Sequence, residues 1–284
     1  MVEYSLLVLI GLLAGLLGGL LGIGGSVLMI PGMTFVLGPA QHLYQGAAMI
    51  VNFFVALPAV VQHLRARAIL GPVIRVMIPA AVVSVLVGVW FSDRPWFRGD
   101  NQVYLARVYG GFMLYMAAYN VYRFFSRRQL SEMDASSARN ISRWRTMLAV
   151  GMPMGLSGGL LGIGGGVVAV PLQQVFLRVP LRRAVANSAT TIMVLSIIGA
   201  CYKNYANMQV GIPLQKALML ALMLIPSAMI GGYLGGKMTH LLPRRVVRFV
   251  MIAVLLCSAI GMLCKPFPSD AAATQPVAQV LRTD

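Results

Sequence analysis

Eight apolar runs follow one another along the chain of 284 residues, at roughly 4–37, 43–62, 69–92, 103–125, 145–177, 184–202, 214–236 and 245–264. A helix rises 1.5 Å per residue, so a run near 20 residues matches the ~30 Å of bilayer hydrocarbon. Recurrence of such runs over the whole length makes lipid the solvent of this fold. Composition agrees: 58% of residues are hydrophobic and 11% charged, where a soluble domain is about half apolar and a quarter charged. The expected fold class is an all-α polytopic membrane protein. The first run is not read as a signal peptide, because Met1-Val2-Glu3-Tyr4 places an acid where a signal carries Lys or Arg. The run also recurs at 147–177.

Two of the runs share a glycine-rich text. GLLGGLLGIGGSVLMIP at 15–31 and GLSGGLLGIGGGVVAVP at 155–171 lie 140 positions apart and agree at 12 of 17 columns. At the same offset Gln62-His63 falls on Tyr202-Lys203 and Gly71 on Gly211; at an offset of 147, Pro79 falls on Pro226 and Gly88 on Gly235. The chain therefore reads as two homologous halves of about four apolar segments each. The first and fifth runs are too long for one crossing: 34 residues of helix would span about 50 Å. A glycine in a helix interior costs about 1 kcal/mol, and several cluster here, so both runs are expected to break, at Gly22-Ile23-Gly24-Gly25 and at Gly162–Gly166. Close helix packing is the competing use of glycine; Gly11-xxx-Gly15, Gly231-xxx-Gly235 and Gly232-xxx-Gly236 fit that small-residue pattern.

The net charge of +16 is read as topology, since cytoplasmic loops collect Lys and Arg. If all eight runs cross once, the 23 basic residues divide 13 to 10; if the first and fifth runs enter and return as hairpins, they divide 16 to 7. The second arrangement satisfies the positive-inside rule better. It places both termini outside and the linker in the cytoplasm, and makes the halves inverted repeats. The expected organisation is an N-terminal membrane repeat over 1–126, a cytoplasmic linker over 127–144, a C-terminal membrane repeat over 145–264 and a polar tail over 265–284.

All seven acidic residues, Glu3, Asp93, Asp100, Glu132, Asp134, Asp270 and Asp284, lie in tails or loops. Cation pathways commonly use intramembrane carboxylates, so the pattern points to an anion. A half-helix that starts at a glycine turn offers free N–H groups and a positive dipole end, both favourable to an anion. Irregular backbone at that depth is tolerable where it lines a cavity. The expected ligand groups are therefore Gly22, Gly24, Gly25 and Ser26 in the first half, and Gly162, Gly164, Gly165 and Gly166 in the second. The polar residues Asn52, Asn187, Ser188, Thr190 and Thr191 join them, with interhelical hydrogen bonding as the competing role. His63 and Lys203, paired across the halves, complete the set. Snorkelling to the interface is the competing role of Lys203, and a structural role that of His63, which has no evident relay partner. No metal site or cofactor is expected. Cys201, Cys257 and Cys264 make no ligand spacing or plausible disulfide framework, and His42, His63 and His240 are scattered, so the chain does not read as an enzyme.

The motif G-x-x-G-G-x-x-G-I-G-G-(G/S)-x-x-x-x-P, present twice, resembles that of the TauE/SafE family of membrane permeases, over about residues 5–264. The resemblance implies transport of sulfite or organosulfonates across the bacterial plasma membrane, often as export. The matching positions are Gly18, Gly19, Gly22, Gly24, Gly25 and Pro31, with Gly158, Gly159, Gly162, Gly164, Gly165 and Pro171. Gly46-Ala47-Ala48 and Asn187-Ser188-Ala189-Thr190-Thr191 depart from the family's usual stretches at those places, which leaves the substrate open. The expected function is a secondary transporter of a small anion working by alternating access; an anion channel using the same dipoles is the alternative. The expected partners are that anion and the lipid bilayer, with no nucleic acid, and with a homodimer as an open alternative of assembly.

Overall fold

The computed structural model describes residues 2–98, 102–125 and 142–263. The expected linker falls outside the described residues up to position 141, and so does the polar tail. Each apolar run becomes helix. The first run is α1 (Val2–Leu21) and α2 (Ser26–Leu37), and the next three are α3 (Gln41–Arg65), α4 (Gly71–Ser92) and α5 (Gln102–Phe125). The fifth run begins with the short α6 (Arg143–Thr146), passes through a π-helical turn over Met147–Gly151, and continues as α7 (Met152–Leu161) and α8 (Gly166–Phe176). Then come α9 (Leu181–Met208), α10 (Leu214–Leu241) and α11 (Arg244–Leu263). Among the described residues, six helices are long and apolar enough to cross a membrane. The fold class is the one expected, an all-helical polytopic membrane protein.

Both glycine clusters interrupt helix where expected. Gly22 and Gly24 have φ of 62° and 83°, and Gly162, Gly164 and Gly165 have 73°, 70° and 75°. These are left-handed conformations that a Cβ disfavours by about 1–2 kcal/mol. The chain doubles back at each turn. A Cβ on Gly25 would lie 3.3 Å from the Ala14 carbonyl, and one on Gly32 would touch Ile10 at 3.0–3.2 Å, so α2 returns along α1. Gly165 likewise comes back against the Met154 carbonyl, so α8 returns along α7. At 12 and 11 residues, α2 and α8 reach only about 16–18 Å, well short of the bilayer.

Pro31 removes the N–H that would have bonded the Val27 carbonyl. That carbonyl accepts instead from Tyr109 Oη of α5 at 3.0 Å and Ser258 Oγ of α11 at 2.8 Å. The half-helix is thereby fastened to the α5–α11 pair.

The packing is crossed. Gly15 and Gly19 of α1 lie against the backbones of Ala228 and Gly232 in α10, and Gly231 and Gly235 of α10 lie against Leu12 and Leu16. Gly155 and Gly159 of α7 lie in the same way against Ala81 and Val85 of α4. Without a Cβ, backbones approach closely, which is how helices associate in lipid. The two interleaved glycine pairs of α10 serve different neighbours: Gly231 and Gly235 face α1, while Gly232 and Gly236 meet Val55 and Ala59 of α3.

Two buried contacts assign the ends of the bundle. Lys203 near the end of α9 is 2.7 Å from Asp93 beyond the end of α4 and 2.8 Å from His42 at the start of α3. His63 near the end of α3 is 2.9 Å from His240 near the end of α10. Eight simple crossings would put Lys203 and Asp93 on opposite ends. Their contact requires that the fifth run return to the end it came from.

Candidate site between the glycine turns

The turns meet inside the protein. A Cβ on Gly24 would lie 3.2 Å from the Ile163 carbonyl, and Gly166 sits against Gly22 O and Ile23 Cα. The half-helix starts α2 and α8 are thus brought together as the glycine pattern requires. Asn52, midway along α3, stands between them. Its Oδ1 accepts from the Ser26 N–H at 3.1 Å and its Nδ2 donates to Ser26 Oγ at 2.9 Å; the same amide comes within 3.3 Å of where Gly164 would carry a Cβ. Asn52 therefore caps α2 from a neighbouring helix, which satisfies one of its orphan donors. The residue 140 positions on is Ile192, which packs on Gly164 and Gly166 and offers no acceptor. Both N-caps, Gly25 and Gly165, lack a side chain, so the contrast between the two starts lies in Asn52 across α2 and Ile192 across α8. The first N–H groups of α8 lie at the positive end of its dipole.

The sixth-run polar residues divide. Ser188 Oγ donates to Gly22 O at 2.7 Å and so holds the first turn. Thr190 and Thr191 donate back to Ala186 O and Asn187 O within their own helix, at 2.8 and 2.9 Å, which leaves their oxygens only as acceptors. Asn187 is engaged at both ends of its amide: Oδ1 accepts from the Leu70 N–H at 2.8 Å and Nδ2 donates to Gln173 Oε1 at 3.0 Å. That bond set ties α9 to the α3–α4 connection and to α8. Gln45, which the sequence reading passed over, lies against Gly162 and donates to Leu160 O at 3.3 Å. Its counterpart at the other turn is Val185, against Gly22; the offset of 140 pairs the two positions and was the signal available.

His63 and Lys203 are far from the turns in role. Lys203 does not snorkel: it is fully buried, because its three ammonium protons meet three acceptors, Asp93 Oδ1 at 2.7 Å, His42 Nδ1 at 2.8 Å and Ser92 Oγ at 3.0 Å. With Nδ1 accepting, His42 carries its proton on Nε2 and donates it to Phe97 O at 2.7 Å. Asp93, a loop residue by sequence, is drawn into this cluster and is 9% exposed. His63 is not isolated either, since His240 bonds its Nδ1. Among the described residues, no group of three His, Cys, Asp or Glu side chains is arranged to hold a metal.

The profile of the sulfite exporter TauE/SafE family matches residues 7–262. The chain belongs to this family. TauE/SafE proteins are membrane exporters, not enzymes. The chain is 29% identical over 282 residues to the probable membrane transporter protein MamO of Magnetospirillum gryphiswaldense, covering 90% of this chain and 44% of that protein. It is 26% identical over 271 residues to the probable membrane transporter protein MJ0441 of Methanocaldococcus jannaschii, covering 91% and 92%. With the probable membrane transporter protein YunE of Bacillus subtilis it shares 24% over 272 residues, covering 90% and 95%. The chain thus spans less than half the length of MamO and most of the length of the other two. No solved structure matches it.

Proposed function

We propose that this TauE/SafE chain is a secondary transporter of a small anion, with sulfite or an organosulfonate as the favoured substrate class, in a bacterial plasma membrane. The observation that carries the reading is the meeting of two half-helix starts inside the bundle, one capped by Asn52 and the other without a side-chain cap. An oxyanion docks at the first N–H groups of α8, at Gly166 and beyond, with Asn52 beside it. Gly22, Gly24, Gly162, Gly164 and Gly165 let the backbones approach. The two halves act as inverted repeats, each a hairpin followed by crossing helices, and the hairpin tips come from opposite ends to form the site. Rocking of one half against the other exposes it alternately. The cytoplasmic face is the end that carries His63, His240 and the linker, as the basic-residue distribution favours.

The test is flux of sulfite, sulfate and methanesulfonate in proteoliposomes holding the full chain. Saturable uptake stimulated by anion loaded on the opposite side supports a carrier. Single-channel currents without counterflow would replace it by the channel alternative, and absence of flux for the whole panel would remove the anion reading.

A further inference from the structure

The two polar clusters at the ends of the bundle occupy corresponding positions. At an offset of 140, His63 corresponds to Lys203 and His42 to Arg182; at 147, Asp93 corresponds to His240. At the first end a buried cation meets a carboxylate, Lys203 on Asp93. At the second end the carboxylate's place is taken by His240, and what meets it is His63 at 2.9 Å.

Arg182 stands close to this pair. Its Nη2 donates to Leu242 O at 3.3 Å, two residues past His240. Among the described residues, the helices around it carry further cations, Arg65 on α3, Lys237 on α10 and Arg183 on α9, while α3, α9 and α10 carry no Asp or Glu. Two side-chain nitrogens here are buried without a partner, His63 Nε2 and Arg182 Nε, and His63 itself is fully buried. A consistent proton assignment has His240 Nε2–H donating to His63 Nδ1, which leaves His63 Nε2–H as an open donor. A buried polar nitrogen without a partner is costly, and among the described residues no carboxylate on α3, α9 or α10 meets the half-buried Arg182.

We propose that His63, His240 and Arg182 form a second anion-binding subsite, at the end of the bundle where α3 and α10 close and α9 begins. It takes the same class of small oxyanion as the site between the turns, and this identification of the ligand rests on the anion-transport reading above. The anion supplies the negative charge that Asp93 supplies at the other end. Thr239, next to His240, donates to Leu20 O at 2.8 Å in the last turn of α1. The subsite is therefore joined by one short contact to the helix that ends at the first glycine turn. An anion held there waits one step from the transport site.

The test is equilibrium binding of sulfite and sulfate to the purified full chain in lipid nanodiscs, read beside flux in proteoliposomes. His240→Asp gives this end its own carboxylate. It is expected to keep or raise the thermal midpoint and to weaken anion binding by about tenfold or more, the scale of one lost charge-assisted contact. Arg182→Gln is expected to weaken binding comparably, and Arg182→Lys to restore part of it, which keeps the test decisive if His240→Asp fails to fold. Wild-type affinity in both His240→Asp and Arg182→Gln overturns the subsite, as does the absence of any anion binding to the wild type. Binding that these variants weaken, in a wild type that transports none of the anions, would sink the transport reading and leave the subsite standing. Normal transport with unchanged affinity in the variants would do the reverse.

Discussion

The two glycine turns carry nearly the same sequence and stand in different surroundings. The first has Val185 against Gly22 and Asn52 on the start of its returning helix; the second has Gln45 against Gly162 and Ile192 on the start of its own. At each of the two flanking positions one half is polar and the other apolar. The backbone chirality of a turn depends on glycine, so both copies keep glycine. What the turn does with its exposed donors depends on the helix packed across it, and there the copies differ. One half-helix start is closed by Asn52, and across the other lies Ile192, which offers no acceptor. The two turns thus share a backbone form, and side chains on α3 and α9 make their surroundings one-sided.

The strongest way to break the comparison is to fill the turns. Gly24→Leu and Gly164→Leu should each bring anion flux down to the background of empty liposomes while the protein still inserts. Both positions have positive φ, and a Cβ at either would lie 3.2 Å from its nearest neighbour, the Ile163 carbonyl and Asn52 Oδ1 for Gly24 and Ile192 for Gly164. A larger side chain would push the turns apart and cover the donors of α8. Wild-type flux in either variant would mean that the turns pack without carrying the anion.

Next in size is the buried cluster at one end. Lys203→Met removes the nearest cation from the buried Asp93 carboxylate and leaves it only the looser contact with Arg98 at 3.8 Å, a loss of up to about 3–5 kcal/mol for a pair of this kind. The thermal midpoint in detergent should fall sharply, and Lys203→Met combined with Asp93→Asn should recover much of it. No fall in the single variant would show that the cluster is solvated.

How far the sequence revealed these features follows their range. The breaks at Gly22–Gly25 and Gly162–Gly165 were legible because several glycines inside an apolar run conflict with helix locally. The return of the fifth run was legible from counting basic residues. Asn52 stood out as a polar residue at mid-segment. The Lys203–Asp93–His42 and His63–His240 contacts were not legible, since each joins residues more than 100 positions apart through helices whose pairing the sequence does not state. The engagement of Asn187 by Gln173 and the Leu70 N–H was hidden for a different reason: an Asn in a lipid-embedded helix reads alike whether its amide is free or fully bonded.

A smaller effect separates the two half-helix starts directly. Ile192→Asn puts at α8 the side chain that caps α2. If the first N–H groups of α8 hold the anion, an internal amide acceptor competes for them, and the apparent affinity should fall by about tenfold, 1.4 kcal/mol. Asn52→Ala should lower stability by about 1 kcal/mol, as loss of a helix cap does. Equal affinities in wild type and Ile192→Asn, measured as the half-saturating anion concentration in proteoliposomes, would place the anion elsewhere.

The last prediction concerns topology and should cost no activity. The contact of Lys203 with Asp93 fixes parity: α5 and α9 lie between them as crossings, so the fifth run contributes none. The first run is held to the same form by the return of Gly25 to Ala14 and of Gly32 to Ile10. Six crossings then separate the N-terminus from the end of α11 in an even count, and three separate it from the linker. Position 5 and position 136 should therefore lie on opposite faces. Ser5→Cys and Ser136→Cys, each on a background without Cys201, Cys257 and Cys264, should react with a membrane-impermeant maleimide from opposite sides of oriented vesicles, with flux unchanged. Labelling of both from one side would add a crossing before the linker, and the first turn would then no longer mirror the second.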